Sequence, residues 1–283
     1  MFKTIPDIAT RVAALQTGAV DIIGEGGIPP AFITQLERDP SVRLSYAKGG
    51  ATNMHIGFEA RKGAPLADRR VRLAIAHAID VDAIVKNVLG GRAQKTAALV
   101  TPYTVGYDPA IKGIPYDPEA AKKLLADAGE KNLSLTLTMP SFYGTTVPQL
   151  LVSDLNKVGI TLKVNSVDFP TWLQDVYTNK DYQLSLVDHA EARDFENWAN
   201  PDYYFTYDNP KVQSLYAQSL AATTDTQASD LLKQAARIVS EDMAADWLSN
   251  WNSVVAVGAN VTGMPIDNVN ARINAVDIAK SKG

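Results

Sequence analysis

The sequence predicts an α/β protein built as two bodies, and three observations carry that prediction. Strands and amphipathic helices alternate in order from Leu133 to Val187. An apolar strand at Thr52 to Phe58 passes through a Pro/Gly break straight into an amphipathic helix that starts at Asp68. A further apolar strand, Asn250 to Val257, returns late in the chain. If Asn53 to Phe58 and Trp251 to Val257 are paired crossovers, residues 1–57 and 253–283 form one body and residues 58–252 the other.

The elements follow from local chemistry. Ile8 to Gln16 reads as a helix stopped by Gly18, and Val20 to Ile23 as a short strand. The Pro29-Pro30 break opens a helix at Ala31 to Leu36, since proline in a first helical turn loses no needed donor. Val42 to Ala47 and Thr52 to Phe58 are strands separated by Lys48-Gly49-Gly50. Asp68 is placed to cap the next helix, whose stripe is Val71, Ile75, Ala78 and Ile79, and Arg69, Arg70 and Arg72 are expected to point largely outward. Asp80 caps a second helix, Val81 to Leu89, which Gly90-Gly91 ends.

Val100 to Pro115 reads as a loop. Asp117 and Pro118 then start a helix that turns Ala121, Leu124, Leu125 and Ala128 inward and stops at Gly129. Leu133 to Met139 alternates as a strand, Val147 to Val158 is an amphipathic helix, and Ile160 to Val167 alternates again. A short helix at Thr171 to Tyr177 leads to a strand at Tyr182 to Val187. This βαβαβ run predicts a mostly parallel sheet covered by helices. A turn-rich stretch from Asp188 to Pro210 precedes two helices, Lys211 to Ala222 and Thr226 to Asp246.

Composition narrows the function. Hydrophobic content of 46% and charged content of 20% in 283 residues fit a globular chain with sizeable cores. A net charge of −4 offers no basic field for nucleic acid or an anionic membrane, so neither is expected as a partner. No apolar run approaches the roughly 20 residues that span a bilayer, and MFKTIPDIATR lacks the apolar centre of a signal peptide. With no cysteine there are no disulfides, thiolate metal sites or cysteine nucleophiles, and no cofactor is expected.

The stretch PLADRRVRLAIAHAIDVDAIVKNVLGG, followed by YDPEAAKKLLADAG at Tyr116 to Gly129, resembles the signature region of the family 5 extracellular solute-binding proteins, the peptide and nickel receptors of ABC importers. RVAALQTGAVDII at Arg11 to Ile23 is similar to the segment upstream of it in that family. The resemblance implies a type II periplasmic-binding-protein-like fold, with the βαβαβ sheet in a second lobe and an incomplete first lobe. It implies capture of an extended peptide or similar small solute between lobes, hinge closure, and delivery to a membrane permease. It also implies a periplasmic or extracellular protein, membrane-anchored in its full-length form, with the rest of the receptor lying before Met1.

Candidate ligand residues gather after the third strand of the run, because ligands of open α/β sheets sit at the carboxyl ends of strands. His189, Glu191, Arg193 and Asp194 lie there; their plainer account is a solvated loop with local ion pairs. The resemblance implies an acidic residue at this place for a ligand α-amine, a role that Asp194 fits best and Glu191 next. Trp198, Tyr203, Tyr204, Phe205 and Tyr207 follow. Polar-tipped aromatics can stack on a ligand, while Phe205 reads as a core plug. Trp251 and Asn53 flank the crossovers and complete the candidate set.

A metal-assisted hydrolase using His189 and Glu191 is the alternative from another class, and a truncated chain without binding function is a third. His55 and His77 fall at apolar spacings and read as ordinary structural histidines. A zinc deaminase would need a downstream P-C-x-x-C, and neither a nucleophile elbow nor a nucleotide-binding glycine pattern is present, so no catalytic residue is assigned.

Overall fold

The structure is a computed structural model that describes residues 1–24, 28, 30–46, 53–61, 63–189, 193–252, 254–265 and 275–281. In chain order its elements are α1 (Ile8–Gln16), β1 (Ile22–Ile23), α2 (Pro30–Glu37), β2 (Val42–Tyr46), β3 (Asn53–Phe58), α3 (Arg69–Ala78), α4 (Val81–Ala83), β4 (Ala93–Lys95) and α5 (Pro118–Ala128). There follow β5 (Ser134–Pro140), α6 (Thr146–Lys157), β6 (Thr161–Val167), α7 (Phe169–Trp172), β7 (Leu184–His189), α8 (Phe195–Trp198), α9 (Pro210–Ala221) and α10 (Asp225–Glu241). The chain closes with β8 (Ala245–Trp251), β9 (Val254–Gly258), β10 (Val261–Thr262) and β11 (Ala279–Lys280). α4 and α7 each continue into a wider helical turn, Ile84–Val88 and Leu173–Thr178.

The chain divides into two compact units, residues 1–50 with 251–283 and residues 51–250. In the smaller unit β9 lies between β1 and β2, antiparallel to both. Val12, Leu15, Ile33 and Leu36 from α1 and α2 pack with Val42, Val254 and Ala256 from its strands.

The larger unit is organised around a six-stranded sheet in the order β4-β8-β3-β7-β5-β6. β5 runs parallel to β6 and to β7, the product of the two βαβ crossovers, while β3 runs antiparallel to β7 and β8. The sheet is therefore mixed where the sequence predicts a mostly parallel one, because β3 pairs into it between β7 and β8. The paired crossovers also differ from the expected ones. β3 pairs with Ala245–Trp251, and Val254–Gly258 belongs to the smaller unit's sheet.

Most helix starts obey the capping logic. Asp68 accepts from the Arg70 amide, Asp80 from Ala83, and Asp117 from Ala120, with Pro118 in the first turn. Gly129 ends α5 at φ +79°, which only glycine adopts freely. Two expectations are corrected. Arg72 is buried, and its guanidinium donates to the carbonyls of Leu66, Ala67, Asp242 and Met243. The last long helix stops at Glu241 instead of Asp246, since Met243 takes φ +53° and Ala245 and Asp246 enter β8.

Candidate functional site

The parallel strands end at one edge of the larger sheet: β5 at Pro140, β6 at Val167 and β7 at His189. His189 pairs with Asn53, the first residue of β3, which pairs in turn with Asn250 of β8. This row lies at the places where the chain enters and leaves the unit, after Gly50 and at Asn250. The carboxyl ends of the strands and both crossings thus share one edge. Open α/β sheets bind ligands at such an edge, because the strand-end loops converge there.

β7 delivers His189 to a hydrogen-bonded chain. Its Nδ1 lies 2.7 Å from Asp194 Oδ1 and its Nε2 2.9 Å from the Tyr204 hydroxyl, while Asn197 Nδ2 donates to the same Asp194 oxygen at 2.9 Å. Nδ1–H donates to the carboxylate, and Nε2 shares the second hydrogen bond with the Tyr204 hydroxyl. Burial pushes the Tyr204 phenol well above its ordinary pKa, so it stays a donor. Burial would also raise the Asp194 carboxyl, but the His189 charge and hydrogen bond, with the Asn197 amide, outweigh it and hold the pKa below the usual value. Among the described residues His189 is the only ion-pair partner of Asp194.

The imidazole is fixed from the sides as well. The His55 ring meets it edge-on at 4.8 Å and Phe205 lies 5.1 Å away. Trp198 is 1% exposed and stacks on Phe205 at 4.0 Å, so it belongs to the core beneath the site and presents no surface to a solute. Tyr203 is half-buried, with its ring 6.2 Å from His189 and 5.6 Å from Tyr177. Arg193 is exposed beside Asp194. Glu191 lies outside the described residues. Asn53 and Trp251 are placed only through their strands, at the start of β3 and the end of β8. His189 spends both ring nitrogens on hydrogen bonds, which leaves no lone pair for the metal that the hydrolase alternative requires. Among the described residues no three His, Cys, Asp or Glu side chains gather as a metal site.

Sequence reasoning passed over the neighbouring strand end. Asp188 is half-buried on the opposite face of β7, and its amide donates to the Tyr143 hydroxyl at 2.8 Å. Burial pushes its carboxyl up to about 7 against the lowering effects of Tyr143 and His189, and its Oδ1 has no partner among the described residues. Phe142 and Phe169, 63% and 43% exposed, follow β5 and β6 with ring centroids 5.8 Å apart. The signal was available: each aromatic comes two residues after an alternating strand, at the end where ligands collect.

Comparison with known proteins agrees with this architecture. The bacterial extracellular solute-binding proteins, family 5 Middle, match residues 1–211. The chain is 26% identical over 280 residues to heme-binding protein A of Haemophilus influenzae, covering 90% of this chain and 48% of the relative. It is 30% identical over 181 residues to the dipeptide-binding protein of Escherichia coli K12, covering 62% of this chain and 33% of the relative. Among solved structures, the periplasmic binding protein DppA from Helicobacter pylori in complex with the peptide STSA superposes with a TM-score of 0.89 at 23% identity, over 99% of this chain and 56% of that one. The chain spans about half or less of the length of these relatives.

Proposed function

Since the chain belongs to the family 5 bacterial extracellular solute-binding proteins, receptors and not enzymes, we propose that it is the binding component of an ABC importer that captures a peptide or similar small cationic solute. It acts outside the cytoplasmic membrane and hands its ligand to the membrane permease. The observation that carries the reading is Asp194, a carboxylate held ionised at the carboxyl edge of β7 whose ion-pair partner among the described residues is a histidine. Such a group is ready for a ligand ammonium, and its fixed geometry lowers the ordering cost of binding. A hydrogen bond to a charged group contributes about 1.5–3 kcal/mol, so Asp194 accounts for a substantial part of amine recognition. Strand-end backbone groups hold the rest of an extended ligand without reading its sequence, in keeping with relatives named for haem and for dipeptides.

Calorimetric titration of the purified chain with a tripeptide and its N-acetylated form tests this. The free amine is expected to bind and the acetylated peptide to bind at least tenfold more weakly, with Asp194→Asn removing most of that difference. Equal affinity for both forms removes the amine role from Asp194, and absence of heat with any peptide removes the peptide reading.

A further inference from the structure

Beyond the amine, we propose that Phe142 and Phe169 form an aromatic platform that selects solutes carrying an aromatic or large apolar group within about three residues of their cationic end; this rests on the peptide reading above and specifies its substrate class. Phe142 and Phe169 are both exposed at this edge, although β5, the strand that leads to Phe142, buries Leu135, Leu137 and Met139 almost completely. They are not loose. Phe169 stacks on Trp172, interplanar angle 5° and centroids 5.7 Å apart, and Trp172 is itself buried with its indole N–H donating to Ser185 Oγ at 3.0 Å. Phe142 leans on Tyr143 at 4.6 Å, and Tyr143 is tied to the Asp188 amide. Two exposed rings held in place from behind give a ligand contact area without a large ordering cost.

Their place in the sheet identifies the occupant. β5 is the neighbour of β7, and β6 lies one strand further out. At about 4.8 Å per strand, Phe142 stands roughly one spacing and Phe169 roughly two spacings from the strand end that carries His189 and leads to Asp194. An extended peptide advances about 3.3–3.6 Å per residue, so a chain whose ammonium meets Asp194 brings the side chains of its first three residues over the two rings. Acid on one strand end and aromatics on the next two match a solute that is cationic at one end and apolar beside it. A bare cation would leave the rings uncovered.

The test compares Ala-Ala-Ala with Ala-Phe-Ala by titration calorimetry, on the unsubstituted chain and on Phe142→Ala, Phe169→Ala and the double variant. Sedimentation of the same samples without ligand accompanies it. The expected result is a preference of about tenfold or more for the phenylalanyl peptide, shrinking towards one in the double variant, with monomers throughout. Equal affinities for the two peptides overturn the platform but leave the peptide reading intact, whereas failure of both peptides to bind overturns that reading first. A dimer that the double variant dissociates, without any peptide preference, assigns the rings to a second copy of the chain and overturns the inference.

Discussion

Two wings of the larger sheet meet at β7 and solve the problem of burial in opposite ways. In β5, Leu135, Leu137 and Met139 are at most 1% exposed, and parallel pairing on both sides leaves them little contact with water. In β3 and β8, His55, Asp246, Ser249 and Asn250 are buried as deeply as Leu248 beside them. Asp246 Oδ2 and Ser249 Oγ have no hydrogen-bond partner among the described residues. Apolar burial stabilises at any pH, while a buried acid exacts a cost that depends on pH. The βαβαβ wing is the scaffold. The wing holding the two crossings stores polar groups at the expense of stability, as functional regions commonly do.

The largest effect expected from breaking this contrast lies in the scaffold. Leu137 is wholly buried between Val164 and Leu184, and Leu137→Ala is predicted to cost about 3–5 kcal/mol by urea unfolding, equally at pH 5 and pH 8. In the polar wing the sign reverses. Burial pushes the Asp246 carboxyl up to about 7, so the folded chain keeps its proton while the unfolded chain ionises above about 4. Stability is therefore lost as pH rises from about 4 to about 7, by up to about 4 kcal/mol. Asp246→Asn is predicted to stabilise by about 2–4 kcal/mol at pH 8 and by almost nothing at pH 4. A gain independent of pH would show that Asp246 is not a buried acid.

Asp194 sharpens the comparison, since its pKa is shifted the other way. Its contribution is present above the unfolded carboxylate range and is lost as pH falls through its depressed folded pKa. Asp194→Asn should cost about 1–2 kcal/mol at pH 7 and less at pH 3, read from the same unfolding curves. The smallest effect is expected at the helix stop that precedes β5. At Gly129 no atom lies within 4 Å of an added Cβ, so Gly129→Ala tests only the backbone penalty of φ +79°, about 1 kcal/mol.

Much of the fold was legible because its signals are local. The caps at Asp68, Asp80 and Asp117, the glycine stop at 129 and the period-two alternation of β5 and β6 each depend on a few neighbouring residues. The edge bearing the candidate site was legible too, since strand direction in a βαβ unit fixes where loops converge. The exposure of Phe142 and Phe169 was not, because alternation says which face a strand side chain takes and nothing about an aromatic just past its end. Nor was the short helix at Phe195–Trp198 within the turn-rich stretch, where a single turn leaves no periodicity to read.

By itself the sequence determined the element types, the family resemblance and the strand end at which to look for a ligand, since capping, alternation and βαβ direction act over short stretches of chain. Tertiary structure alone decided what the polar residues do. Arg72 turned inward because the carbonyls of Asp242 and Met243, some 170 residues away, offered acceptors that no local pattern announces. Trp198 became core because Phe205 folds back to stack on it, and β3 entered the sheet because β7 and β8 both presented backbone partners to it. Asp194 is held ionised because His189 and Asn197 converge on one of its oxygens, with Tyr204 closing the far side of the ring. That arrangement is a property of packing, and burial without those partners would have pushed the same carboxyl upward, as it does at Asp246.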